Sequence, residues 1–247
     1  MARVRLYLDQ PLGAGQTLTL DRDQAHYLFG VMRLAPGDRL AVFDGRTGEW
    51  EAEVTQAGKR AGALRCLERV KPLQAPPDLW LLFAPIKKAR TDFIVEKAAE
   101  LGAARVLPVT TEFTNAERVN RARLQAHAVE AAEQCGGTFV PEVAELARLG
   151  DVLRDWPAER RLMFCDETLA GRASPLADGV AKRGAEPWAI LIGPEGGFSD
   201  SERARLRGMA QAVTVSLGPR VLRADTAAVA ALALWQSRLG DWLEDGA

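Results

Sequence analysis

The chain has 247 residues, of which 47% are hydrophobic and 26% charged, a composition that fits one large globular domain or two small ones and excludes extensive disorder. Its 32 Lys and Arg against 33 Asp and Glu leave a net charge of −1, so bulk positive charge is excluded as the means of holding a polyanion. Three scattered cysteines, Cys66, Cys135 and Cys165, form no CxxC pair, and with only His26 and His127 beside them neither a disulfide framework nor a metal site is expected.

Met1 to Leu6 is charged and is not followed by an apolar secretion segment. No later run reaches the roughly 18 apolar residues of a membrane helix, so a cytoplasmic protein without membrane contact is expected. Residues 1–71 alternate short strand patterns with turn residues, at Arg3 to Leu8, Gln16 to Leu20, Arg39 to Phe43, Glu49 to Val54 and Ala63 to Val70. Asp44-Gly45 and Thr47-Gly48 supply a hairpin connection, a helical piece spans about Gln24 to Arg33, and Pro36-Gly37-Asp38 forces a turn. This pattern predicts a small β-barrel or sandwich. Pro72, Pro76 and Pro77 then deny backbone donors and hold residues 72–78 extended, which marks a linker.

From residue 79 to 247 strands and helices alternate, which predicts an α/β domain with a mostly parallel sheet. The apolar run Leu79 to Ala84 suits a strand buried on both faces, and Lys88 to Leu101 follows as a helix closed by Gly102. Arg105 to Val109 is the next strand, and Asn120 caps a helix through Cys135. Arg161 to Cys165 is a short strand, and Ser174-Pro175 has the form of a helix start. Trp188 to Ile192, a glycine-rich loop and a helix from Asp200 form the clearest strand-loop-helix unit, with Ser199 and Glu202 at capping-box spacing. Ala212 to Leu217 and Asp225 to Leu239 are the last strand and helix.

Two loops carry candidate chemistry. In Gly193-Pro194-Glu195-Gly196-Gly197-Phe198-Ser199 three glycines let the backbone approach a ligand in front of a helix start. Neither the P-loop nor the dinucleotide fingerprint occurs, so the loop is either a plain tight turn or a site for another ligand. In Leu217-Gly218-Pro219-Arg220-Val221-Leu222-Arg223-Ala224-Asp225-Thr226-Ala227 polar groups crowd an alanine-rich helix start. There Asp225 or Thr226 could simply cap the helix beneath solvated arginines. Two such loops after neighbouring strands match the place where open α/β sheets bind ligands.

Together, G-P-E-G-G-F-S at 193–199 and L-G-P-R-V-L-R-A-D-T-A at 217–227 resemble the carboxyl-terminal signature of the RsmE-type SPOUT methyltransferases. The likeness extends to Ile86-Lys87-Lys88, Val95 to Gly102, Glu130 to Gly136, Val140-Pro141-Glu142, His26-Tyr27-Leu28 and Arg33 to Asp38, and so covers nearly the whole chain. Two positions depart from it, Gly137 and Phe113, where arginine is common.

The resemblance implies a trefoil-knotted SPOUT domain at 79–247 behind a PUA-like β-barrel at 1–71, assembled as a homodimer. It further implies methylation of N3 of a 16S ribosomal RNA uridine with S-adenosylmethionine as donor. Leu191, Gly193, Gly196, Leu217, Gly218, Leu222 and Thr226 would hold the donor. Arg223 and Arg220 would act on the base, and Glu195 would accept a proton or a hydroxyl. Arg3, Arg5, His26, Arg33 and Lys87 would contact RNA, although residues 1–70 carry only ten Lys and Arg against nine Asp and Glu. Nitrogen methylation needs no cysteine nucleophile, which leaves Cys135 and Cys165 as small buried hydrophobes. A ribose 2'-O-methyltransferase and an inactive RNA-binding factor are the alternatives.

Overall fold

The computed structural model describes residues 4–172 and 186–243. Arg3 and the helix start expected at Ser174-Pro175 lie outside the described residues. The chain forms two compact units, one of residues 1–75 with 132–140, the other of 76–131 with 141–247.

Among the described residues of the first unit five strands, β1 (Arg5–Tyr7), β2 (Thr17–Leu20), β3 (Arg39–Phe43), β4 (Glu49–Ala57) and β5 (Gly62–Lys71), form one sheet in the order β1-β3-β4-β5-β2. Neighbours are antiparallel except β1 and β3. Alternation sends Leu6 of one edge strand and Leu18 and Leu20 of the other into the same core as Leu40, Val42, Ala52, Val54 and Leu64, so the sheet must curl around it. The β3–β4 connection is held by Asp44, whose carboxylate accepts the Arg46 and Thr47 N–H groups and the Thr47 hydroxyl.

The helical piece is α1 (Arg22–Ala25), capped by Asp21 and Gln24, running into a wider π-helical turn at His26–Val31. Arg33 then takes a left-handed φ of 58°. Residues 132–140, which the sequence assigns to the second domain, belong to this unit because Arg5 holds them. Its guanidinium donates to the carbonyls of Ala132, Glu133 and Gly137 and to the Glu49 carboxylate.

Among the described residues the second unit has seven strands, β6 (Leu79–Phe83), β7 (Arg105–Thr110), β8 (Glu142–Val143), β9 (Ala147–Arg148), β10 (Arg161–Cys165), β11 (Trp188–Ile192) and β12 (Ala212–Val215). Their order is β12-β10-β11-β6-β7-β8, with β9 also on β7, and every pairing is parallel. All five residues of β11 are buried, as a strand covered on both faces requires. Its α-helices among the described residues are α2 (Lys88–Glu100), α3 (Arg121–Cys135), α4 (Leu149–Val152), α5 (Asp200–Arg207) and α6 (Ala224–Leu239). The last turn of α3 falls in the first unit.

Asn120 accepts the Arg123 N–H at the start of α3, and Ser199 with Glu202 closes the predicted capping box of α5. α6 begins one residue earlier than predicted, so Arg223 occupies its cap position and Asp225 lies in its first turn.

The amino ends of three strands are tied by Arg160, a residue the sequence did not single out. It donates to both Asp78 carboxylate oxygens and to the Asp78 and Trp188 carbonyls, with its guanidinium 3.6 Å from the Trp80 ring centre. The opposite, carboxyl end of the sheet is left to the loops.

Candidate functional site

A cavity of about 270 Å³ lies at the carboxyl ends of β10, β11 and β12. Three segments line it: 165–170 from the end of β10, 192–197 from the end of β11, and 215–227 from the end of β12 into the first turn of α6. The parallel sheet produces this meeting, because each strand delivers its following loop to the same end.

Of the residues singled out from sequence, Gly193, Glu195, Leu217, Gly218, Arg220, Leu222 and Arg223 line the cavity. Leu191 is fully buried in β11 and packs in the core with Phe164 and Phe198. Gly196 lies outside the lining and backs onto Phe113, and Thr226 is exposed on α6. Arg223 and Arg220 are exposed at the rim, and their side chains make no hydrogen bond or ion pair among the described residues.

The 193–198 loop is fixed from below by Phe198, whose ring meets Phe164 edge-on at 5.0 Å. Within it Gly197 has φ 71°, and a Cβ there would overlap the Glu167 carboxylate. Gly218 has φ 119° and open space where a Cβ would stand, so the cavity reaches the bare backbone at that point.

Sequence reasoning passed over the acidic end of β10. Asp166, with no exposed side chain, accepts the Thr168 N–H and hydroxyl and pairs with Arg207 and Arg203 of α5. Burial alone would raise its carboxyl, but the bonds from Thr168 and Arg207 outweigh that and hold it below the ordinary aspartate value. Glu167 faces the cavity and is paired with Arg203, whose own guanidinium it holds more firmly protonated. The available signal was position: Asp166-Glu167 directly follows a buried parallel strand.

Arg90 on α2 was also passed over. Its guanidinium lies 3.3 Å from the Glu195 carboxylate and 3.7 Å from that of Asp225, so it joins the two predicted loops. Asp225 therefore serves this pair and the neighbouring Thr226 N–H, and the capping role considered for it narrows to that one local bond.

The cysteines divide. Cys165 lines the cavity, is 7% exposed, and burial pushes its thiol up, away from nucleophilic use. Cys135, expected to be buried, is exposed near the end of α3.

The residues expected at RNA divide as well. Arg5 is committed to the fold: four of its five N–H donors are bonded within its own unit and its side chain is 13% exposed. His26 and Arg33 are exposed at the two ends of the π-helical segment of the first unit, and Lys87 is exposed at the start of α2. Among the described residues no group of His, Cys, Asp or Glu is arranged to hold a metal ion, and no helix is long and apolar enough to cross a membrane.

Residues 73–236 match the family model of an RNA methyltransferase domain, and residues 20–65 match that of an RNA methyltransferase PUA domain. The chain is 34% identical to the ribosomal RNA small subunit methyltransferase E of Synechocystis sp., over 88% of this chain and 72% of that protein. It is 29% identical to the protein of the same name from Rickettsia conorii, over 93% of both chains. The crystal structure of the Neisseria gonorrhoeae ribosomal RNA small subunit methyltransferase E, bound to S-adenosyl methionine, superposes with a TM-score of 0.87 at 27% identity, covering 97% of this chain and 99% of that one. Sequence likeness along most of the chain, a shared fold and a cavity made by both signature loops agree: the chain belongs to the RNA methyltransferase family, among the ribosomal RNA small subunit methyltransferase E proteins.

Proposed function

We propose that the protein methylates N3 of a specific uridine in 16S ribosomal RNA, with S-adenosylmethionine as donor. The observation that carries this reading is the single cavity lined by both signature loops, in a family whose gonococcal member binds that donor. The lining suits such a ligand. Ile192, Val215 and Leu222 offer apolar surface for a flat base, Gly193 and Gly218 offer backbone groups, and Glu167 and Glu195 suit a molecule that is both cationic and hydroxylated.

When bound, S-adenosylmethionine supplies an electrophilic methyl group. Uridine N3 has a weakly acidic proton that must leave before its lone pair can attack. Arg223 stabilises the resulting uridinate through its guanidinium, Arg220 orients the base, and Glu195 accepts a proton or a ribose hydroxyl. Leu191, Gly196 and Thr226 act one layer back, by shaping the strand end, the loop and the helix start. The β-rich unit serves RNA binding through His26 and Arg33, with Lys87 contributing from α2. The protein works in the cytoplasm as a homodimer.

The test is nucleoside mass spectrometry of small-subunit ribosomal RNA from cells with and without the gene. Loss of N3-methyluridine, restored by the purified protein with S-adenosylmethionine, is the expected result. Loss of a 2'-O-methylated nucleoside instead, or no change, overturns the assignment.

A further inference from the structure

An open groove of about 860 Å³ runs beside the start of α2, in the second unit. Its floor is Pro85 and Ile86, which follow β6, so it opens at the same end of the sheet as the cavity. The two adjoin: Ala84, next to that floor, donates its N–H to the carbonyl of cavity-lining Ile192. The first turn of α2 serves both, with Lys88 in the groove wall and Arg90 reaching Glu195 at the cavity.

The charge of the wall is one-sided. Lys88, Arg118, Arg121 and Arg123 line it against one acid, Glu145. In a chain whose net charge is −1, this is the local concentration of cations that a polyanion requires. The four are not spent on one another. Arg121 is anchored by the Val143 carbonyl, with Glu145 at 3.8 Å, and Arg123 by Asp92. Each keeps further N–H donors, and their side chains remain 40% and 28% exposed. Lys88 and Arg118 are exposed, and their side chains make no hydrogen bond or ion pair among the described residues.

From this we infer that the groove holds the phosphate backbone of the RNA strand that presents its base to the cavity, with Lys88 and Arg118 as the free contacts and Arg121 and Arg123 as pre-positioned ones. The inference rests on the RNA methyltransferase reading and adds a substrate track to it. Such contacts position the strand without reading its sequence.

The decisive measurement is the affinity of the full-length protein for transcribed small-subunit ribosomal RNA, and for an unrelated RNA of equal length, between 50 and 200 mM salt. Each cation that neutralises a phosphate adds about 0.7 to 0.9 to the slope of log K against log salt. The double variant Lys88→Ala/Arg118→Ala is therefore expected to lose between one and two units of slope, and about tenfold in affinity at low salt, for both RNAs. S-adenosylmethionine affinity by calorimetry should stay at the wild-type value, which also reports a folded domain. Glu145→Gln, which removes the opposing acid, should tighten both RNAs severalfold.

Unchanged slope and affinity in the double variant overturn the groove assignment. So does unchanged RNA affinity accompanied by a shift in sedimentation, which would make the groove a contact between copies of the chain. A wild-type protein that methylates no RNA, but whose double variant still loses slope, leaves the groove standing and removes the enzymatic reading instead.

Discussion

The two ends of the parallel sheet hold charge in opposite ways. At the amino end Arg160 is enclosed by Asp78, Trp188 and Trp80, and every contact it makes is within the fold. At the carboxyl end Arg223 and Arg220 stand at a cavity rim with no partner among the described residues, while Asp166 and Glu167, which line the same cavity, are braced by Arg203 and Arg207. A cation enclosed by partners of its own fold contributes to stability. One held in place by its backbone but left unpartnered is free to meet a ligand.

The widest separation between the two ends should come from Arg223→Ala. If this guanidinium stabilises the uridinate, its loss lowers the single-turnover rate on the order of a hundredfold to a thousandfold, with donor affinity and melting temperature near wild type. Activity should recover towards high pH, where hydroxide removes the N3 proton, and Arg223→Lys should restore only part of the rate. A pH profile parallel to wild type would reassign Arg223 to phosphate anchoring.

At the other end Arg160→Met should do the reverse. Asp78 is half-exposed and water can solvate it once its partner is gone, so the loss is about 2 kcal/mol rather than the larger cost of orphaning a fully buried charge. That lowers the melting temperature by roughly 4–8 °C in differential scanning calorimetry, with the rate of the folded enzyme unchanged. A rate loss without a stability loss would break the contrast.

Gly197→Ala probes the brace itself. A Cβ there must displace the Glu167 carboxylate and tolerate φ 71°, so donor affinity by calorimetry should fall about tenfold. Gly196→Ala, whose nearest contact would be the Phe113 side chain at 3.2 Å and which lies outside the lining, should cost less.

The smallest effect concerns pH. The Asp166 carboxyl titrates lower in the folded chain than in the unfolded one, so its contribution is complete above the unfolded aspartate value near pH 4. It is lost as pH falls through the lower folded value. Asp166→Asn should therefore be less stable than wild type at pH 7 and should show a shallower loss of stability as pH falls below about 4, read from urea unfolding.

Most of this architecture was legible because it rests on local rules. β3, β10 and β11 have the predicted bounds, and the Ser199 box and Asn120 cap lie where spacing put them. What escaped depends on partners far away in sequence. Arg90 is an ordinary helix residue until Glu195 and Asp225 arrive beside it, and Arg5 looks like a surface cation until residues 132–140 fold over it. The short strands β8 and β9 have no periodicity of their own and exist only because β7 offers an edge. Gly196 marks another boundary of sequence reading: a glycine-rich loop is visible, but which of its residues line the cavity is decided by the turn.

The strand order also sets a timetable for synthesis. β6, at the middle of the large sheet, is hydrogen-bonded on one side to β7, which follows it closely, and on the other to β11, which does not. On the ribosome, at roughly 5–20 residues per second, β6 must wait several seconds with an apolar edge open before residues 188–192 emerge. The five-stranded sheet, whose strands all end by Lys71, can pair throughout that interval. The loop at 217–223 and α6 arrive last, so a nascent chain stalled before them has both sheets but no cavity.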